Sequence, residues 1–176
     1  MKKKIVIASV ITLAVLLVYL LSSRIVTYTR NPIPLFPKEY VFYCMNPAEA
    51  SLAFGAVQDV TPSVCDTPDA CYAYVRPVLG YEANVECFFT DSSHLHRISI
   101  TWSLETTEEA SSVYEEALSL IRKEYGANDD FFENEETVSD NGKRSLSIGV
   151  NYGATGVSYF VSVEGSTVSV WGYYTV

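Results

Sequence analysis

From Ile5 to Leu21 the chain is unbroken apolar sequence, with Lys2, Lys3 and Lys4 directly ahead of it and no Gly, Pro or charge inside it. A stretch this long and this uniform has no polar face to show to water, so it suits neither a strand nor the amphipathic helix of a small core. As a helix at about 1.5 Å per residue it spans roughly 26 Å, and Ser22 and Ser23 bring it close to the hydrocarbon thickness of a bilayer. The run is longer than the usual apolar core of a cleaved signal peptide, and no small-x-small cleavage site follows it. The first cysteine is Cys44, too distant for a lipoprotein signal. The expectation is an uncleaved, single-pass signal-anchor over 5–23, with residues 1–4 as a cytoplasmic basic tip and everything beyond the run outside the cytoplasm. A cleaved signal peptide is the competing reading.

Charge and cysteine usage fall on one side of that run. All 21 acidic residues lie from Glu39 onward, against nine basic residues beyond the run, a net charge of −12. That sign opposes nucleic acid and anionic lipid surfaces as main partners and permits a cationic one. The four cysteines, Cys44, Cys65, Cys71 and Cys87, are also all beyond it. In an oxidising compartment an even count reads as disulfides. Cys65 and Cys71 flank the turn-forming Asp66-Thr67-Pro68-Asp69, so the expected pairs are Cys65–Cys71 and Cys44–Cys87. Zinc is the rival, and no C-x2-C spacing supports it.

Residues 24–38 carry Pro32, Pro34 and Pro37 and read as a stiff stalk. Residues 39–176 then form one extracytoplasmic domain. Glu39–Cys44 reads as a strand. Asn46-Pro47 with Glu49 marks a helix start, and Gly55 its end. Cys71–Arg76, stopped by Pro77 and Gly80, then Ala83–Phe89 and Arg97–Leu104 read as strands, the last two with alternating apolar and polar positions. Thr106 and Glu109 form a capping box ahead of a helix whose apolar face is Ala110, Val113, Tyr114, Ala117, Leu118, Ile121 and Tyr125. After it, Asn141-Gly142 and Gly165-Ser166 punctuate a β-meander to the C-terminus. The expected fold class is α+β: a mostly antiparallel sheet with one long and one short helix on one face. The order of elements hints at a duplicated unit, although the halves share no alignable repeat.

With the apolar alternates under the helices, the other sheet face presents Ser99, Thr101, Ser103, Ser145, Ser147, Asn151, Ser158, Ser162 and Ser169, and among them Phe88, Phe160, Trp171 and Tyr173. Large aromatics set among small hydroxyls suit recognition, because they offer contact area at low entropic cost. These four are the candidate binding residues for an envelope or extracellular protein or glycan; cross-strand packing is the plain alternative. His94 and His96 are weak metal candidates: two residues apart on a strand, both rings point one way, but they also continue the Ile98–Ile100–Trp102 face and no third ligand is in sight. Asp129 to Glu136 is oxygen-rich but lacks the ligand alternation and mid-loop Gly of an EF-hand. There is no G-x-S-x-G, no phosphate-cradling Gly loop and no H-E-x-x-H. The expected activity is therefore non-catalytic binding, with no cofactor. A metal-dependent or other extracytoplasmic enzyme is one alternative, and an inhibitor or immunity-type protein for a cationic partner is another.

Overall fold

The computed structural model describes residues 31–37, 41–56, 59–62, 70–90, 94–153 and 155–175. The apolar run with its lysines lies outside the described residues, as do Cys65 and the expected turn at 91–93. No helix among the described residues is long and apolar enough to cross a membrane. The chain divides between Asn31 and Pro32, and the second unit is an α+β domain.

Its elements are α1 (Pro47–Phe54), β1 (Asp59–Pro62), β2 (Ala70–Val78), β3 (Tyr81–Phe89), β4 (Leu95–Ser103), α2 (Thr107–Tyr125), β5 (Phe131–Glu133), β6 (Thr137–Val138), β7 (Arg144–Asn151), β8 (Gly156–Glu164) and β9 (Thr167–Thr175). The strands form one nine-stranded sheet in the order β1-β2-β3-β4-β9-β8-β7-β5, with β6 also on β7. All of its pairings are antiparallel. The order reads the same from both ends. Each half holds one helix, one or two short edge segments and three long strands, and the halves meet at the central β4–β9 pair, an arrangement in keeping with the hint of duplication.

Both helices start where side-chain chemistry dictates. Asn46 accepts from the N–H groups of Ala48 and Glu49 while Glu49 accepts from that of Asn46 at 2.8 Å. Thr106 and Glu109 make the same reciprocal pair at 3.1 and 3.2 Å. Each box satisfies donors that the first turn would otherwise leave orphaned. The buried residues of α2 are the seven expected from its periodicity, and they pack over β7, β8 and β9. Phe54 of α1 packs on Tyr74 of β2. One apolar core thus runs under both helices, with Trp102, Ile98, Ile100, Val161 and Val170 at its floor.

Residues 32–37, expected as part of the stalk, belong to the domain instead. Ile33 and Leu35 are buried, Pro32 bridges to Phe42, and the Tyr125 hydroxyl donates to the Pro32 carbonyl at 2.7 Å. Pro32, Pro34 and Pro37 forbid helix, yet the residues between them are apolar, and burying them outweighs leaving them as a solvated rod. The expected strand over Glu39–Cys44 reduces, among its described residues, to that single bridge at Phe42. A turn at Tyr43 and Cys44, whose φ is +69°, breaks it.

Two turns also differ. Leu79 and Gly80, at φ +53° and +81°, form the two-residue hairpin between β2 and β3, the backbone twist that matches paired strands. At Asn141-Gly142 only Gly142 is left-handed, and Ser139 bonds Lys143 across a three-residue loop. Pro77 does not stop β2, because β1 pairs only with residues 70–73 and leaves that stretch of the strand's outer side unpaired.

Candidate functional site

Register places the face away from the helices residue by residue, since directly paired residues share a face. One cross-strand row runs Phe88–Arg97–Tyr173–Ser158. The next runs Glu86–Ser99–Trp171–Phe160–Ser147. A third runs Asn84–Thr101–Ser169–Ser162–Ser145–Thr137. Rows are two residues apart, roughly 7 Å along the strands. The face therefore grades from an aromatic end to a hydroxyl end.

The aromatic end is not uniform. Phe160 is 39% and Tyr173 38% exposed, and Trp171, paired directly with Phe160, is half-buried. Phe88 differs: it is buried, with the Arg97 guanidinium carbon 3.7 Å from its ring centroid. That geometry is a cation–π contact, so Phe88 serves as a seat for Arg97, and the accessible platform is Phe160, Trp171 and Tyr173. The hydroxyl end holds two shallow hollows. One, of about 450 Å³, is lined by Val75, Glu82, Ala83, Asn84, Glu86, Thr101 and Ser103. The other, of about 220 Å³, is lined by Lys143, Ser162, Glu164, Thr167 and Ser169. Ser99 is buried between Glu86 and Trp171, and Ser162 is buried between Ser145 and Ser169. Part of the face thus packs along itself, as the cross-strand alternative anticipates.

The histidines do not assemble a site. A bulge between Phe88 and Phe89, which pair with Arg97 and Leu95, makes His96 the extra residue of β4. The parity of the strand flips there, so Leu95 enters the core while His94 is exposed and His96 half-buried. No group of three or more potential metal ligands occurs among the described residues.

Cys44 and Cys87 are free thiols, and the expected bond between them is not seen. Cys87 points into the core from β3, where burial pushes its thiol pKa up, whereas Cys44 sits exposed in its left-handed turn with its N–H on the Leu95 carbonyl. Cys71 is buried on the platform face opposite Phe88, and its expected partner Cys65 lies outside the described residues.

The acidic stretch after α2 is tied down by cations. Arg122 makes a two-pronged contact with Glu133, at 2.6 Å for its shortest bond. Arg144 reaches Glu115 at 2.7 Å and Glu136 at 3.0 Å, and the Tyr114 hydroxyl donates to Glu136 at 2.6 Å. The two arginines and three glutamates line a cleft of about 640 Å³ between α2 and the β5–β6 segment. The oxygens of Glu133 and Glu136 are thus engaged by arginines, where a calcium loop would need them free.

That network sets an acid response. The bond from Arg122 holds the Glu133 carboxyl below its ordinary pKa. The Tyr114 hydroxyl, then Arg144, do the same for Glu136. Depressed carboxyls contribute stability that is present above the usual value of about 4.3 and is lost as pH falls through the lower folded values. All the carboxylates are partly exposed, so each pair is worth at most about 1 kcal/mol. Thermal melts at descending pH should show a smaller acid loss in Arg122→Ala/Arg144→Ala than in the parent; equal losses would place the acid sensitivity elsewhere.

No protein-family model matches the chain, and comparison with curated proteins and with solved structures gave no match.

Proposed function

We propose that the chain is a single-pass membrane-anchored module whose extracytoplasmic domain binds an envelope or extracellular component, protein or glycan, without catalysis. The Phe160–Trp171–Tyr173 platform carries this reading. Its three rings come from adjacent strands β8 and β9 and stand beside hydroxyls and carboxylates on the sheet face opposite both helices. A rigid sheet presents these rings with little ordering cost on binding. The address rests on the apolar run behind Lys2, Lys3 and Lys4, and on the acidic residues all lying beyond it.

The test uses the soluble piece Pro32–Val176, since Ile33 and Leu35 belong to the core. Wild type and Trp171→Ala/Tyr173→Ala are immobilised side by side and challenged with envelope extract, with bound protein and bound carbohydrate quantified separately. A component retained by wild type and reduced by about tenfold or more in the variant supports the site, given the weight aromatic anchors carry at interfaces. Equal retention by a variant with wild-type circular dichroism would sink it.

A further inference from the structure

On the helix-covered side, at the sheet edge formed by β1 and β2, lies an apolar hollow of about 420 Å³ whose lining includes Phe36, Pro37, Leu52, Phe54, Arg76 and Pro77. Leu52 on α1 stands 87% exposed at its rim, above every other large hydrophobic among the described residues. Pro37 and Pro77 are exposed beside it, and Phe36 packs edge-on against Phe54 at 5.2 Å. Leu52, the two prolines and Phe36 together form a small contiguous apolar patch, a surface suited to a weak apolar contact.

The chain itself indicates what that is. Packing of 32–37 into the domain ends the spacer at Asn31. Ten residues, 22–31, then separate the hollow's own strand of chain from the apolar run, a reach of at most about 36 Å. The lining's only charge is Arg76, a donor suited to headgroup phosphate. Asp59 at the start of β1 and Glu82 opposite Pro77 also lie at this edge, but most of the acidic surplus lies elsewhere, with Glu108, Glu109, Glu115, Glu116 and Glu124 on α2.

Building on the anchor reading, we propose that the Leu52 patch seats the domain on the bilayer surface, Leu52, Phe36, Pro37 and Pro77 entering the interface and Arg76 meeting the headgroups. So small a patch would not bind lipid from solution, but a tethered domain meets the surface at high effective concentration, and a weak contact then suffices. The consequence is orientation: the sheet edge at β1–β2 lies toward the membrane, and the β5–β6 edge points away from it.

The test uses the full chain in mixed phosphatidylcholine and phosphatidylglycerol vesicles, with and without brominated acyl chains that quench nearby indoles. Three variants add one tryptophan each to the native pair: Leu52→Trp, Val138→Trp at the far edge, and Leu16→Trp within the apolar run. The expected result is that the indoles added at 52 and 16 each lose roughly half of their emission to the quencher, the shallow depth typical of interfacial burial sufficing at 52, while that at 138 is unaffected. Quenching at 16 without quenching at 52 overturns the seating and leaves the anchor standing. Equal quenching at 52 and 138 overturns the orientation and the proposal with it. No quenching at 16 refutes the anchor reading itself.

Discussion

Trp102→Ala should lower the stability of the domain by about 3–5 kcal/mol, the usual range for emptying a buried aromatic site. Trp102 is fully buried on the core side of β4, and its indole N–H donates to the Val78 carbonyl at 3.0 Å. That bond ties the central strands to the mouth of the β2–β3 hairpin. Alanine removes the ring volume and also strips a carbonyl of a buried donor, and the two losses add. Against a total of about 5–15 kcal/mol for an ordinary domain, the variant should be substantially unfolded at moderate urea. Trp102→Phe keeps most of the volume and loses the N–H with part of the bicyclic ring, so its cost should be smaller, about 1–3 kcal/mol. Urea melts of the three proteins separate volume from hydrogen bond. A loss below about 1 kcal/mol for Trp102→Ala would contradict the packing described for the sheet's centre.

Gly172→Ala should destabilise by about 1–3 kcal/mol through overpacking, and Tyr43→Phe in the same chain should restore the share due to the Tyr43 hydroxyl. A methyl on Gly172 would run into the Tyr43 hydroxyl and come within 2.8 Å of the Tyr159 ring. Neither neighbour can retreat easily. Tyr43 stacks on Tyr174 with ring centroids 5.8 Å apart, and Tyr159 is wedged between Tyr43 and Tyr125. The hydroxyls of Tyr43 and Tyr159 are buried and not aligned into well-formed bonds, although they approach closely enough to influence one another. Burial accordingly pushes both phenols well above their ordinary pKa. Removing the Tyr43 oxygen therefore sacrifices little by itself and opens the space that the added methyl needs. In thermal melts each kcal/mol should appear as about 2–4 °C. Failure of the double variant to recover would mean that the Tyr159 ring, and not the Tyr43 hydroxyl, is the hard wall.

Much of the domain was legible from local pattern. The helical face of α2 reads directly from its spacing because one helix buries one stripe, and its capping box is written in adjacent residues. The alternation along β3 and β8 likewise assigns each side chain to its face. The misread places share a cause, which is that a partner distant in sequence decides them. Residues 32–37 look like a spacer until Val41, Phe54 and Tyr125 supply surfaces to bury them against. The histidine pair looks in phase with Ile98 until the bulge opposite Phe88 and Phe89 shifts the parity. The arginine partners of the acidic segment come from α2 and β7, 11 and 8 residues from the carboxylates they hold, and no spacing rule joins them.

By itself the sequence determined the fold class, the two helices with their caps, which strand residues face the core, and the hydroxyl-and-aromatic character of the opposite face. These are properties of period and local hydrogen bonding. Only the tertiary structure decided that β4 pairs with β9 at the sheet's centre, and that pairing is what brings Trp171 beside Ser99 and Tyr173 beside Arg97. It also took Phe88 out of the platform by laying Arg97 over its ring, and left Leu52 exposed beside Phe36 and Pro37. The physical reason is common to all three: pairing and burial are set by which surfaces meet, and neighbours along the chain do not specify that.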